Sequence, residues 1–183
     1  MIKIIDNILN ENECDKLINQ ASNRLFTANV LGEKREGYRT AQNCWLFEET
    51  DLIVKIKNII KIETNLEINN QEALHIVKYD VGGEYKPHHD FFHPNTNYYD
   101  ESMKMGGQRV YSCLFYLNDN FDGGETEFPN KKIKITPKIG RLLIWKNMNE
   151  NNFLDYDSLH AGLPVISGTK WIGIIWVRER NFK

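Results

Sequence analysis

The sequence predicts a mainly β domain with flanking α-helices, a double-sheet barrel of the jelly-roll kind. Three observations predict it. Apolar residues recur at helical spacing only in the first third of the 183-residue chain. Beyond residue 70, about eight short stretches rich in β-branched and aromatic residues follow one another. Clusters of Gly, Asn, Asp and Pro separate these stretches, among them Asp80-Val81-Gly82-Gly83, Asp122-Gly123-Gly124 and Ser167-Gly168. Helices first and short strands afterwards is the order of a helix-buttressed barrel, although a β-sandwich would be patterned in the same way.

The elements follow in order. Ile2 to Ile5 is a short apolar strand. Asn10 with Glu13 three residues on is a capping-box pattern, and Cys14, Leu17, Ile18 and Ala21 continue at i, i+3, i+4, i+7, so a helix starts there. Val30 to Arg39 is polar and glycine-containing, a mobile loop. A strand carrying Trp45 follows over 40–47. A second helix over 51–62 buries Leu52, Ile53, Ile56, Ile59 and Ile60. The strand candidates are then 74–79, 83–91, 109–117, 125–128, 132–135, 141–145, 158–163 and 170–178. The polar stretch 95–107 reads as a loop, either a lid over a site or an inert connection. With no linker, repeat or low-complexity tract, the expectation is one domain over 1–183: a helical support region over 1–70 and a jelly-roll core over 71–183.

Composition narrows the partners. A net charge of −2 gives no footprint for nucleic acid or an anionic membrane, and no apolar run reaches the roughly 20 residues that span a bilayer. The early acid Asp6 interrupts any signal-peptide apolar region. Cys14, Cys44 and Cys113 are too scattered for a disulfide framework or a zinc pair and read as packing residues in a reducing compartment. A cytoplasmic location is expected.

His88 and Asp90 stand two apart, so on an extended strand both leave the same face, and His160 on a later strand can complete the set. Two imidazoles and one carboxylate on one side of a metal are the facial set of a non-haem Fe(II) oxygenase. Zinc takes the same ligands, but no H-E-x-x-H helix or other general base accompanies them. Strand parity directs His89 to the opposite side; His93 falls in the loop, and His75 reads as a core or rim histidine. Lys170 opens the last apolar strand, where its ammonium can pair the far carboxylate of a 2-oxoglutarate chelating the metal. Tyr79, Tyr116 and Thr136 are candidate hydroxyl partners for that co-substrate; Tyr116 shares a strand face with Ser112 and Leu114.

One run, Tyr79-Asp80-Val81-Gly82-Gly83-Glu84-Tyr85-Lys86-Pro87-His88-His89-Asp90-Phe91-Phe92, closely resembles the iron-binding segment of prolyl 4-hydroxylase catalytic domains. The likeness continues through Arg109-Val110, Phe115-Tyr116-Leu117-Asn118, Gly123-Gly124-Glu125-Thr126-Glu127-Phe128-Pro129 and Gly140-Arg141-Leu142-Leu143-Ile144-Trp145. It ends with His160-Ala161-Gly162-Leu163-Pro164-Val165, Lys170-Trp171 and Trp176-Val177-Arg178-Glu179-Arg180, and Tyr38-Arg39-Thr40 with Trp45-Leu46 extends it towards the start. The resemblance implies a double-stranded β-helix in which His88, Asp90 and His160 bind Fe(II) and Lys170 binds 2-oxoglutarate. It implies hydroxylation of proline in a protein or peptide with O₂ as co-substrate, 2-oxoglutarate leaving as succinate and CO₂, and L-ascorbate as reductant. Asp90 itself argues for hydroxylation, since a related halogenase lacks that carboxylate.

By the same resemblance Arg39, Arg109 and Trp176 lie where the family receives its peptide, and a proline-rich segment is a preformed helix that Trp176, Tyr111 or Tyr98 can grip. The chain differs from the animal collagen-modifying enzymes in having no secretory signal, separate peptide-binding domain or retention signal. A free-standing microbial or viral enzyme, monomeric or homodimeric, is therefore expected. The alternatives are hydroxylation of lysine, another side chain or a small molecule, nucleic-acid dealkylation, which is expected to use arginine in place of Lys170, and a non-catalytic peptide-binding module.

Overall fold

A computed structural model describes residues 1–28 and 37–183. Among the described residues thirteen strands form two layers and a small third pair. The major sheet runs β1 (Ile2–Ile5), β10 (Leu142–Lys146), β6 (Arg109–Tyr116), β13 (Lys170–Arg178), β4 (Leu74–Tyr79), β3 (Gln42–Leu46) and β2 (Phe26–Thr27). The minor sheet runs β5 (Tyr85–His88), β11 (His160–Gly162), β8 (Thr126–Phe128) and β9 (Ile133–Ile135), and β12 (Val165–Ser167) pairs β7 (Asp122–Gly123). The described pairings are all antiparallel. The fold is the jelly roll expected from the sequence.

Strand alternation divides the core in two. Leu74 and Ile76 of β4, Cys113 and Phe115 of β6, Leu142 and Ile144 of β10, and Ile175 and Val177 of β13 pack against the helices. The intervening residues, Val77 and Tyr79, Leu114 and Tyr116, Leu143 and Trp145, and Ile172, Ile174 and Trp176, fill the space between the sheets. The period of two thus gives every central strand one greasy face for the helices and one inner face for the barrel. Lys170 falls on the inner set, in register with Tyr79.

The helices begin where the capping residues say. At α1 (Glu11–Ser22), Asn10 Oδ1 accepts from the Glu13 amide at 2.9 Å, and Glu13 Oε2 accepts from the Asn10 amide at 3.0 Å. At α2 (Asp51–Thr64), Thr50 Oγ1 accepts from the Ile53 amide at 3.3 Å. This helix runs past the expected end and stops at Asn65, which takes the left-handed conformation (φ 57°) that closes helices. Among the described residues no helix is long and apolar enough to cross a membrane.

Three features differ from expectation, and one expectation lies largely outside the described residues. The first 70 residues are more than helical support, because β1, β2 and β3 join the major sheet. The 95–107 stretch contains a short helix, α3 (Tyr99–Lys104), which buries no residue and so left no periodic signal. Its fixing comes from outside: the guanidinium of Arg178 donates to Ser102 O and that of Arg180 to Met103 O (2.9 Å). The strand expected over 83–91 ends at His88. The loop expected from Val30 to Arg39 lies outside the described residues for 30–36.

Candidate metal centre and its cavity

His88 and His160 are cross-strand partners on β5 and β11, with ring centroids 4.3 Å apart. Asp90, just past the end of β5, turns its carboxylate between them: Oδ1 lies 3.6 Å from His88 Nε2 and Oδ2 lies 3.6 Å from His160 Nε2. One potential ligand atom from each of the three lies within 4.8 Å of the others, and among the described residues this is the one such group. Backbone carbonyls fix the rings. His88 Nδ1 donates to Lys86 O at 2.8 Å and His160 Nδ1 to Ser158 O at 2.9 Å, so Nε2 of each ring is the nitrogen left facing the carboxylate.

Electrostatics keep His88 and Asp90 in the forms that a metal takes. Burial, with His160 beside it, holds the His88 imidazole well below its ordinary pKa and hence neutral. Burial alone would raise the Asp90 carboxyl, but His160, His88, Arg109 and a hydrogen bond from Ser112 outweigh it and hold the carboxyl at about 2. Neutral imidazole and ionised carboxylate are the donor states a divalent ion requires, and three protein ligands leave positions open, so the residues fit a ferrous ion.

His89 stays out of the cluster. Its ring stacks on Phe91 (4.5 Å) and its Nε2 donates to Tyr156 O at 3.1 Å, while His93 packs edge-on to it at 5.3 Å. His75 is buried, stacked on Trp45 at 4.2 Å, with Nε2 hydrogen-bonded to Asn43 Oδ1 at 2.7 Å.

The centre opens into a cavity of about 820 Å³ whose walls include Lys170, Tyr79, Arg39, Arg109 and Trp176. Lys170 is 2% exposed, and its Nζ donates to Gly124 O at 2.6 Å while lying 5.1 Å over the Tyr79 ring. Gly124 is at φ 66°, and a Cβ there would lie 3.0 Å from Lys170 Cδ, so a glycine gives the lysine its berth. Burial, partly offset by Glu125, lowers the ammonium to about 8. Among the described residues no carboxylate is hydrogen-bonded or ion-paired to it, which leaves donors for an acidic ligand.

The other candidates separate. Tyr116 does not line the cavity; its hydroxyl is 2.6 Å from Thr126 Oγ1, and Thr126 is the hydroxyl that reaches the wall. Thr136 is exposed at the end of β9, away from the cavity. Tyr98 lines the cavity, whereas Tyr111 packs on the helix-side core. Arg109 is held by two 2.7 Å hydrogen bonds to Glu72 and lies 3.7 Å over the Trp176 ring. Arg39 bridges to the Tyr85 backbone and places its guanidinium 4.8 Å over the Tyr85 ring.

Sequence reasoning missed Tyr85, which stacks on His88 at 3.4 Å. An odd spacing of three should separate the two faces. On β11, however, His160 faces His88 and Gly162 faces Tyr85, so three steps on one strand match two on the other, and this bulge brings both rings to one side. Glu72, 3% exposed and also bound by Arg178 at 2.9 Å, carried no motif at all.

Residues 74–178 match the 2OG-Fe(II) oxygenase superfamily. The chain is 34% identical over 180 residues to a putative prolyl 4-hydroxylase of Acanthamoeba polyphaga mimivirus, covering 98% of this chain and 74% of that one. It is 32% identical to prolyl 4-hydroxylase 5 of Arabidopsis thaliana, covering 98% and 69%. Among solved structures it is similar to a viral collagen prolyl hydroxylase from Paramecium Bursaria Chlorella virus-1 in complex with 2OG, with TM-score 0.77, 29% identity and coverage of 97% and 95%. With the buried His-Asp-His centre and jelly-roll fold, these likenesses show that the chain belongs to the prolyl 4-hydroxylase family of 2-oxoglutarate- and Fe(II)-dependent oxygenases.

Proposed function

We propose that the protein hydroxylates proline residues in a peptide or protein, with His88, Asp90 and His160 holding Fe(II) and Lys170 holding 2-oxoglutarate. One observation carries this reading: a single cavity joins the three-ligand centre to a buried ammonium that no described carboxylate neutralises. When bound, the iron with 2-oxoglutarate and O₂ supplies the oxidising chemistry, and 2-oxoglutarate leaves as succinate and CO₂.

The chain's own residues bind, orient and exclude water. The Lys86 and Ser158 carbonyls set the tautomers of the two imidazoles. Lys170 compensates the distal carboxylate of the co-substrate in a wall of Tyr79, Ile172 and Thr126 that keeps water from that ion pair. Arg39, Arg109 and Trp176 form the part of the wall proposed to receive the peptide; Trp45 and Trp176, 5.8 Å apart, offer ring faces to an extended proline-containing segment. Ascorbate as the reductant that maintains ferrous iron is part of the same reading and follows from family resemblance.

The test is direct. Purified protein with Fe(II), 2-oxoglutarate, ascorbate and a panel of proline- and lysine-containing peptides is analysed for succinate and for a mass gain of one oxygen. The reading expects both products in stoichiometric amounts with proline peptides. Oxygen placed only on lysine, or succinate that no peptide stimulates, would replace it.

A further inference from the structure

We infer that Ser112 and Asn147 are positioning residues for Asp90, capping one carboxylate oxygen so that the other is the one offered to the metal. The inference rests on the iron-site reading above. Ser112 lies on the inner face of β6, opposite Trp145 of β10 and Trp176 of β13, and is fully buried. Asn147 follows β10 and is fully buried too.

The direction of each hydrogen bond follows from proton counting. A carboxylate only accepts, so the Ser112 hydroxyl, 2.6 Å from Asp90 Oδ2, donates to it. With its one proton committed there, Ser112 Oγ can only accept from Asn147, 2.9 Å away. That requirement turns the Asn147 amide so that Nδ2 faces the hydroxyl. The cost is visible on the other side of the amide: Asn147 Oδ1 is buried with no hydrogen-bond partner among the described residues. Rotating the amide to give Ser112 an acceptor would leave two acceptors facing one proton and release Asp90 Oδ2.

Asp90 Oδ1 has no hydrogen-bond donor among the described residues. A carboxylate free at both oxygens can close on a metal with both and take up a coordination position. With Oδ2 tied back through Ser112 to Asn147, that position stays available to the co-substrate. The relay therefore acts on the second ligand to arrive, and much less on the metal itself.

The test separates those two events by binding alone. Manganese(II) affinity, and then 2-oxoglutarate affinity of the manganese-loaded protein under nitrogen, are measured calorimetrically for wild type, Ser112→Ala, Ser112→Thr and Asn147→Ala. Ser112→Ala is expected to bind manganese within about threefold of wild type but 2-oxoglutarate at least about tenfold more weakly. Ser112→Thr should restore co-substrate affinity, and Asn147→Ala should shift it in the same direction by a smaller factor. Unchanged 2-oxoglutarate affinity in Ser112→Ala overturns the inference. So does a parallel fall in both affinities together with the melting temperature, which is the mark of a merely structural role. If Ser112→Ala does not fold, Asn147→Ala decides by the same criteria. Failure of the wild type to bind manganese would instead remove the iron-site reading, and the inference with it.

Discussion

His88 and His160 are directly opposed across an antiparallel strand pair, each with Nδ1 tied to a carbonyl two residues before it in the chain, Lys86 on β5 and Ser158 just ahead of β11. This repeated device fixes both rings with the same tautomer. Because each ring supplies one of three ligand atoms, His88→Ala or His160→Ala should lower 2-oxoglutarate turnover by more than about 100-fold and abolish stoichiometric metal binding. His89→Ala should keep metal binding, since that ring faces Phe91 and Tyr156. Metal titration of the three variants checks this, and loss of binding in His89→Ala would contradict the assigned ligands.

Lys170 gives a prediction with a pH signature. Removing its charge-assisted contact in Lys170→Ala should cost about 1.5–3 kcal/mol, read as a roughly 10- to 100-fold higher apparent requirement for 2-oxoglutarate with kcat less affected. In the free protein burial lowers the ammonium from 10.5 to about 8. Below about 8 the group is charged in folded and unfolded chains alike. Between about 8 and 10.5 only the unfolded chain holds the proton, so the burial penalty is relieved and this group's contribution to stability rises with pH. Co-substrate affinity moves the other way, since the dianion needs the ammonium. KM for 2-oxoglutarate is therefore expected to climb above pH 8, and this pH dependence should be absent in Lys170→Ala.

Much of this was legible in the sequence because the relevant signals are local and periodic. The capping box at Asn10, the strand bounds of β1, β4 and β13, and the inward direction of Lys170 all follow from short patterns. The His88, Asp90 and His160 grouping was legible for the same reason, through an extended-chain parity that the end of β5 only slightly perturbs. Parity failed where a bulge changed the count, at Tyr85; it held at Tyr116, which lies on the inner face with Leu114, but no spacing could show that Thr126 of the other sheet takes its hydroxyl. Glu72, Asn147 and α3 are defined by long-range partners, at separations such as Glu72 to Arg178, and no local pattern announces those.

Glu72 anchors two guanidiniums, that of Arg109 against Trp176 in the cavity wall and that of Arg178. Its Oε1 accepts from Arg109 at 2.7 Å and from Arg178 at 2.9 Å, and all three side chains are buried. Removing the acid leaves two unpaired buried cations, so Glu72→Ala should destabilise the fold by about 3–5 kcal/mol. Chemical denaturation checks it. Because Arg178 also ties down Gly107 O at 3.0 Å, hydrogen exchange across 99–107 should quicken in the same variant.

Tyr116 and Tyr79 provide the sharpest contrast between inner-face position and cavity access. Both are buried on the inner side of the major sheet, and Lys170 lies 5.1 Å from one ring and 5.9 Å from the other. The Tyr116 hydroxyl is held by Thr126 and does not reach the cavity, whereas Tyr79 lines it. Tyr116→Phe should thus cost about 1 kcal/mol in stability, the net value of one buried hydrogen bond, and leave KM for 2-oxoglutarate within about twofold of wild type. Tyr79→Phe should raise KM, because the hydroxyl of a cavity-lining residue is lost. Melting curves and 2-oxoglutarate saturation on the two variants measure both axes. A reversed pattern, with Tyr116→Phe altering KM and Tyr79→Phe silent, would place the co-substrate on the far side of Lys170, towards β6 and β8.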